Sequence, residues 1–323
     1  MARRPWTHDQ LVAGVRGGDR RAVARAISLV ESQDDGAVAL LQELYPETGS
    51  AFAIGITGPP GVGKSSLIGA LIRHVRTLDL TVGVISIDPS SPFTHGALLG
   101  DRIRLSDHFL DPGVFIRSMG ARGHRGGLAE TTLQSLLLLD AAGTDVVFLE
   151  TVGAGQSEVE VMSVADEVVL VLMPGSGDSV QALKAGIMEI PDVIAVNKMD
   201  QPGATAMQND IRGVIALDPE AAWHPAIVLT DALRGEGVDR LWTTIVERRD
   251  ALAADGELQQ RRHGNLAGEV IAAATARARG KIERAITEDA ALAELVASVQ
   301  RREVDPLTAA DQVASAVLRE ATS

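Results

Sequence analysis

The chain contains no cysteine, which excludes disulfides, thiolate zinc sites, iron–sulfur clusters and cysteine nucleophiles. Aromatic residues are scarce, at 3% of 323 residues. A core of Val, Ile, Leu and Ala is therefore expected, as in a parallel sheet buried on both faces. Positive charge is in deficit: 30 Lys and Arg stand against 43 Asp and Glu, a formal net charge of −13. That disfavours a protein whose main task is to neutralise nucleic-acid phosphates or an anionic membrane surface. No apolar run reaches the roughly 18 residues of a membrane helix, and the opening stretch MARRPWTHDQLVAGVRGGDRR lacks the apolar segment of a signal peptide. The expectation is a cytoplasmic chain with neither nucleic acid nor membrane as partner. The 7 histidines form no HxxH pair, so a zinc or metal-delivery site has no support.

Three textures follow one another along the chain. Residues 1–50 read as a helical extension: Asp19 is placed to cap a helix carrying Val23, Ile27 and Val30 on one face, and Val38, Leu41 and Tyr45 continue the pattern until Pro46. Residues 51–245 carry short β-branched runs separated by helix-length segments: AFAIGITG, TVGVISID, GVFIRSM, DVVFLET, EVVLVLMPG, DVIAVNKMD and AIVLT. Most are apolar on both faces, so the expected fold is α/β, with a doubly wound, mostly parallel sheet and ligands beyond the carboxyl ends of its strands. Residues 246–323 lose the strand texture and read as helices rich in Ala, Glu and Arg, with Asp305 and Pro306 as a cap and first helical residue. Such a region either folds back as an intrachain cover or serves as a dimerisation arm.

The strongest motif is GITGPPGVGKSS, with AFAIGITG as the strand before it and a helix after. The loop Gly58, Pro59, Pro60, Gly61, Val62 and Gly63 lets backbone N–H groups converge on phosphate oxygens at a helix N-terminus, with Ser66 following in its first turn. Lys64 is placed to reach the β- and γ-phosphates, and the Ser65 hydroxyl to ligate Mg²⁺. About 130 residues on, the strand VIAV delivers Asn197, Lys198 and Asp200, an order that gains meaning from the preceding phosphate loop. A carboxylate at Asp200 accepts from both N1–H and the exocyclic amine of guanine, a pair of donors that adenine lacks. Asn197 and Lys198 would brace the base and the phosphate loop. These residues move the reading from a nucleoside triphosphatase in general to a GTPase.

In DVVFLETVGAGQSE, Glu150 ends an apolar strand where a Mg²⁺-holding carboxylate belongs, and Gly153 lets the backbone approach a γ-phosphate. Gln156 is a candidate for positioning water, although it lies three residues after Gly153 instead of next to it. Asp88 closes the strand of SIDPSSPFTHGALLGDRIR, and Asp101 precedes a helix there. Either carboxylate can approach Mg²⁺ or the attacking water; the plainer alternative is a strand-end Asp and a helix cap. In RSMGARGHRGGLAE, Arg122, His124 and Arg125 alternate with glycines, a basic loop suited to a phosphate or a partner carboxylate, or simply solvated.

With these motifs in order and at matching spacing, the chain resembles the methylmalonyl-CoA mutase-associated GTPases, the MeaB/ArgK family. The resemblance rests on GITGPPGVGKSSLI, ISIDPSSPFTHGALLGDRIRL, FIRSMGARGHRGGL, FLETVGAGQSE and NKMD, and covers most of residues 15–245. It implies a chaperone of the adenosylcobalamin-dependent mutase that uses GTP/GDP and Mg²⁺. It also implies a homodimer formed through the C-terminal helices, and an extra switch contacting the mutase at GSGDSVQALKAGIMEI, residues 175–190. Carried onto this chain, Lys64, Asp101, Glu150 and Gln156 are the candidate catalytic residues; Ser65, Asp88, Asp101 and Glu150 are the magnesium candidates. One departure stands out: after AIVLT the loop reads Asp231, Ala232 and Leu233, where a Ser or other small residue often precedes the Ala. Three alternatives remain: a P-loop kinase linked to amino-acid transport, which gains nothing from guanine selectivity; a GTPase chaperone of another client metalloenzyme; and a GTP-binding structural subunit without turnover.

Overall fold

Strands that are apolar on both faces need helices on both sides, and that is how the chain is arranged. The computed structural model describes residues 6–32, 34–88, 105–120, 128–151, 163–175, 191–217 and 223–319. Seven strands lie among them: β1 (Phe52–Thr57), β2 (Val82–Asp88), β3 (Val114–Gly120), β4 (Val146–Thr151), β5 (Glu167–Leu172), β6 (Val193–Val196) and β7 (Ala226–Leu229). They form one sheet in the order β3-β2-β4-β1-β5-β6-β7, and every pairing in it is parallel. The fold is therefore the doubly wound α/β sheet of a P-loop protein, and each predicted strand is present.

The amino-terminal helices α1 (His8–Arg16), α2 (Arg20–Glu31) and α3 (Asp35–Leu44) precede β1, α4 (Lys64–Arg76) follows the phosphate loop, and α5 (Leu128–Ala141) precedes β4. Asp19 caps α2 by accepting from the N–H groups of Arg21 and Ala22, so two backbone groups of that terminus are satisfied by one side chain. The buried face of α3 is Ala37, Leu40 and Leu44, while Val38 and Tyr45 are 44% and 49% exposed. The helix is thus rotated by one position from the stripe Val38, Leu41, Tyr45. Both stripes have helical spacing, and packing on α1, α2 and α5 selects the one that is buried. Leu11, Val15, Ile27 and Leu40 share one core cluster with Ile85, Ile87 and Leu149 of the sheet. On the opposite face, Leu67, Leu71 and Val75 of α4 join Ile54, Val84 and Phe148.

The helix α6 (Ala204–Ile215) lies in the crossover from β6 to β7, and beyond β7 follow α7 (Val238–Ala254), α8 (Glu257–Glu288), α9 (Ala290–Gln300) and α10 (Pro306–Arg319). The helix α8 runs unbroken for 32 residues through Gly264, Gly268 and Gly280, although glycine weakens helices. Asp305 accepts from the N–H groups of Leu307 and Thr308 at the start of α10. No helix among the described residues is long and apolar enough to cross a membrane.

An acid stands immediately before each of three central strands, and each closes the ladder of a neighbour. Asp145 accepts from the Thr81 N–H at 2.7 Å, Asp166 from the Ala53 N–H at 2.9 Å, and Asp192 from the Val168 N–H at 3.0 Å. Two of these acids also receive the C-terminal helices. Arg262 of α8 bonds both oxygens of Asp166 at 2.7 Å, and Arg261 donates to Asp192 at 2.9 Å. Arg248 of α7 lies 3.5 Å from Asp192 and stacks on the Trp223 ring at 3.5 Å. Among them Glu167 is fully buried, and neither of its oxygens has a hydrogen-bond partner among the described residues. Burial first, and then the neighbouring Asp192 charge, push its pKa up to about 9, against the opposing pull of Arg248 and Arg261.

Candidate nucleotide site

The site lies at the carboxyl ends of β1, β4, β5 and β6, where open parallel sheets bind ligands. After β1 the chain must turn sharply to start α4, and two glycines make the turn possible. Gly58 has φ +140, and a Cβ there would lie 2.1 Å from the Val171 carbonyl oxygen; at Gly63, φ +95, it would lie 2.5 Å from Asn197 Nδ2. No other residue type fits either position without moving its neighbour. Gly63 is also the residue before the first turn of α4, so the loop's N–H groups and the helix terminus face one space, a geometry that favours anions. Pro60 and Gly61 are exposed there and Val62 is fully buried.

Lys64 is 7% exposed, and its ammonium donates to the carbonyls of Gly58 at 2.5 Å and Pro59 at 3.2 Å. Both of these acceptors belong to the loop itself, which holds the ammonium beside the turn that favours anions. Next to it, the Ser65 hydroxyl donates to Glu150 Oε1 at 2.6 Å. Glu150 is the last-but-one residue of β4 and is 1% exposed. Its other oxygen, Oε2, accepts from the Ser86 hydroxyl of β2 at 3.0 Å. A hydroxyl and a carboxylate, both hard oxygen donors, thus meet at the start of α4; this set suits Mg²⁺, which takes oxygen ligands and few of them from the protein.

The carboxyl end of β6 braces the loop from the other side. Asn197 Nδ2 donates to the Val62 carbonyl at 2.8 Å, while its Oδ1 accepts from Thr230 Oγ1 at 3.3 Å and from the Ala232 N–H at 3.1 Å. One amide therefore ties the phosphate loop to the loop after β7. Lys198 sits at φ 57, an uncommon conformation for a non-glycine residue, and its ammonium donates to the Gly61 carbonyl at 2.9 Å and to Met173 Sδ at 3.1 Å. Asp200 is exposed at the end of this turn, where its carboxylate is open to a ligand. After β7, Asp231 is buried and turned into its own loop, accepting from the N–H groups of Leu233 and Arg234 at 3.0 and 3.1 Å. Leu233 itself is 86% exposed.

The structure thus brings Gly58 to Ser66, Glu150, Asn197, Lys198, Asp200 and the 231–233 loop to one rim. Asp88 ends β2 at the same rim. Asp101, Gly153, Gln156, the basic loop 121–127 and most of 175–190 lie outside the described residues. Ser86 and Thr230 are site residues that the motifs do not announce. The signal for Ser86 is a lone hydroxyl in an otherwise apolar buried run, and for Thr230 it is the same at the end of AIVLT.

The model of the family Methylmalonyl Co-A mutase-associated GTPase MeaB matches residues 23–286. A Pyrococcus abyssi protein is 45% identical over 314 residues, covering 96% of this chain and 97% of its own. The mouse protein named methylmalonic aciduria type A homolog, mitochondrial, is 32% identical over 273 residues, covering 79% of this chain and 66% of its own. A solved structure named LAO/AO transport system kinase is similar with a TM-score of 0.69 at 26% identity, covering 97% of this chain and 98% of its own. The chain belongs to the methylmalonyl-CoA mutase-associated GTPase family and is a guanine-nucleotide-binding GTPase.

Proposed function

We propose that this GTPase is a Mg²⁺-dependent cytoplasmic chaperone of adenosylcobalamin-dependent methylmalonyl-CoA mutase, coupling GTP hydrolysis to cofactor loading and protection. The observation that carries the reading is the family match across 23–286, a family named for its association with that mutase. The site supports a switch of this kind. Lys64 leaves the Gly58 and Pro59 carbonyls for the β- and γ-phosphates, and Asp200 accepts from the guanine N1–H and amine. Asn197 and Lys198 hold the base-reading turn against the phosphate loop. Among the described residues Ser65 and Glu150 would hold Mg²⁺, with Asp88 and Asp101 as further candidates. When bound, Mg²⁺ supplies charge neutralisation at the β- and γ-oxygens as the terminal bond breaks. The rest is positioning: no covalent step falls to the protein, and Gln156 and Asp101 are the candidates for orienting water.

The chain works as a homodimer in this reading. Support comes from α8, where Val270 and Ile271 are 69% and 67% exposed, an apolar step on a helix that needs a partner face. Residues 1–50, 51–245 and 246–323 act as cover, GTPase body and arm. A second reading, a P-loop kinase linked to amino-acid transport, is favoured by the name of the solved relative; the exposed carboxylate of Asp200 beside the phosphate loop counts against it.

The test is steady-state GTP hydrolysis with and without added methylmalonyl-CoA mutase. Turnover is expected to rise several-fold with the mutase. Turnover indifferent to the mutase would overturn the partner while leaving the GTPase intact.

A further inference from the structure

We propose that Ser86 is a positioning residue of the magnesium site: its hydroxyl holds the Glu150 carboxylate in the orientation from which Oε1 meets Ser65. The inference rests on the reading of Ser65 and Glu150 as magnesium-site residues.

The geometry begins with the sheet register. Ser86 lies directly opposite Glu150 in the β2–β4 pairing, and paired residues of parallel neighbours share a face. On that face the two rows run Val82, Val84, Ser86 and Val146, Phe148, Glu150. The first two members of each row belong to the core beneath α4. Both rows turn polar at one level, the level at which α4 starts. Ser86 is 2% exposed and Glu150 1%, so the change of chemistry does not serve solvation. A buried hydroxyl in a strand row that otherwise carries Val82 and Val84 calls for a partner, and Ser86 finds it in Glu150 Oε2 at 3.0 Å.

The two hydroxyls take different oxygens of one carboxylate, Ser86 from the sheet and Ser65 from the helix at 2.6 Å. The terminal torsion of a glutamate side chain is broad. A donor on each oxygen, fixed to separate rigid elements, removes that freedom. Ser86 touches neither nucleotide nor reacting atoms; it acts through Glu150. Ser118 supplies an internal control: it is paired with Ser86 one strand further out on β3 and is also buried, yet it makes no hydrogen bond to Glu150 among the described residues.

The experiment compares the parent with Ser86→Ala and Ser118→Ala. Binding of fluorescent GDP is measured in EDTA and across a Mg²⁺ titration, alongside the melting temperature of the nucleotide-free protein. Loss of a hydrogen bond to a charged group is expected to raise the half-saturating Mg²⁺ concentration of Ser86→Ala about tenfold. Its metal-free GDP affinity should stay within about twofold of the parent, because the donors to the nucleotide are untouched. Ser118→Ala should match the parent in both. An unchanged Mg²⁺ requirement in Ser86→Ala, beside a parent that does respond to Mg²⁺, would overturn the role of Ser86 alone. So would a parallel fall in metal-free affinity and melting temperature, which marks a structural residue. A parent whose GDP binding ignores Mg²⁺ would overturn the magnesium reading, and the role of Ser86 with it.

Discussion

The two ends of the parallel sheet hold charge in opposite ways. At the carboxyl end, Lys64 and Lys198 are held by backbone carbonyls and a thioether, and Asp200 stands exposed. At the amino end, Asp166 and Asp192 take up Arg261, Arg262 and Arg248 directly, and Glu167 is buried beside them with no hydrogen bond among the described residues. Charges held by weak acceptors are available to a ligand; charges paired with each other are not. The comparison teaches where to look for function in this fold: one end gathers two loop-held lysines and an exposed carboxylate around the phosphate loop, and the other pairs acids with the arginines that fasten the C-terminal helices to the sheet.

Variants at the two ends should separate these jobs. The largest effect is expected from Lys64→Ala, which removes the cation facing the phosphates. GTP hydrolysis should fall about a hundredfold or more, while the melting temperature of the nucleotide-free protein should move only a few degrees. A variant that hydrolyses normally would break the comparison at its first end. Next comes Arg262→Ala, which strands the buried Asp166. Its side chain is 21% exposed, so a loss near the low end for a buried pair, about 3 kcal/mol, is expected in urea melts. GTP turnover of the folded protein should remain near that of the parent. Turnover that collapses while stability holds would mean that the amino end is part of the site.

The smallest expected effect sharpens the comparison through pH. Glu167 has a folded pKa of about 9 against 4.5, so the unfolded chain releases a proton that the folded chain keeps. Stability from this group is complete below pH 4.5 and declines as pH rises toward 9, at up to about 1.4 kcal/mol per unit. Glu167→Gln keeps a neutral group in place and should flatten the decline. Relative to the parent, the variant should gain about 1–2 kcal/mol between pH 6 and pH 8, allowing for relaxation around the buried group. Parallel pH profiles would show that Glu167 is ionised in the fold.

The carboxyl end was legible in the sequence and the amino end was not. The strands could be read because burial on both faces leaves long runs of Val, Ile and Leu, and the phosphate loop because its glycines answer to backbone geometry. NKMD was legible for the same local reason: a strand end followed by a fixed turn. The pairing of Asp166 with Arg262 spans 96 residues, and nothing local to either residue predicts it. Yet part of the signal was present in TDVV, ADEVV and PDVI, where an acid precedes each strand. The buried face of α3 escaped because two stripes fit helical spacing and only its neighbours choose between them. Ser86 escaped because a single serine in a strand carries no pattern; the register with Glu150 gives it meaning.

The claim at the centre of this account is that the end of β6 reads guanine beside a phosphate loop. The most direct measurement is the ratio of kcat/KM for GTP to that for ATP. A site built on the Asp200 carboxylate leaves it unpaired against adenine and predicts a ratio of at least about a hundred. A ratio near one would contradict the assignment of Asp200 and return the transport-linked kinase to first place.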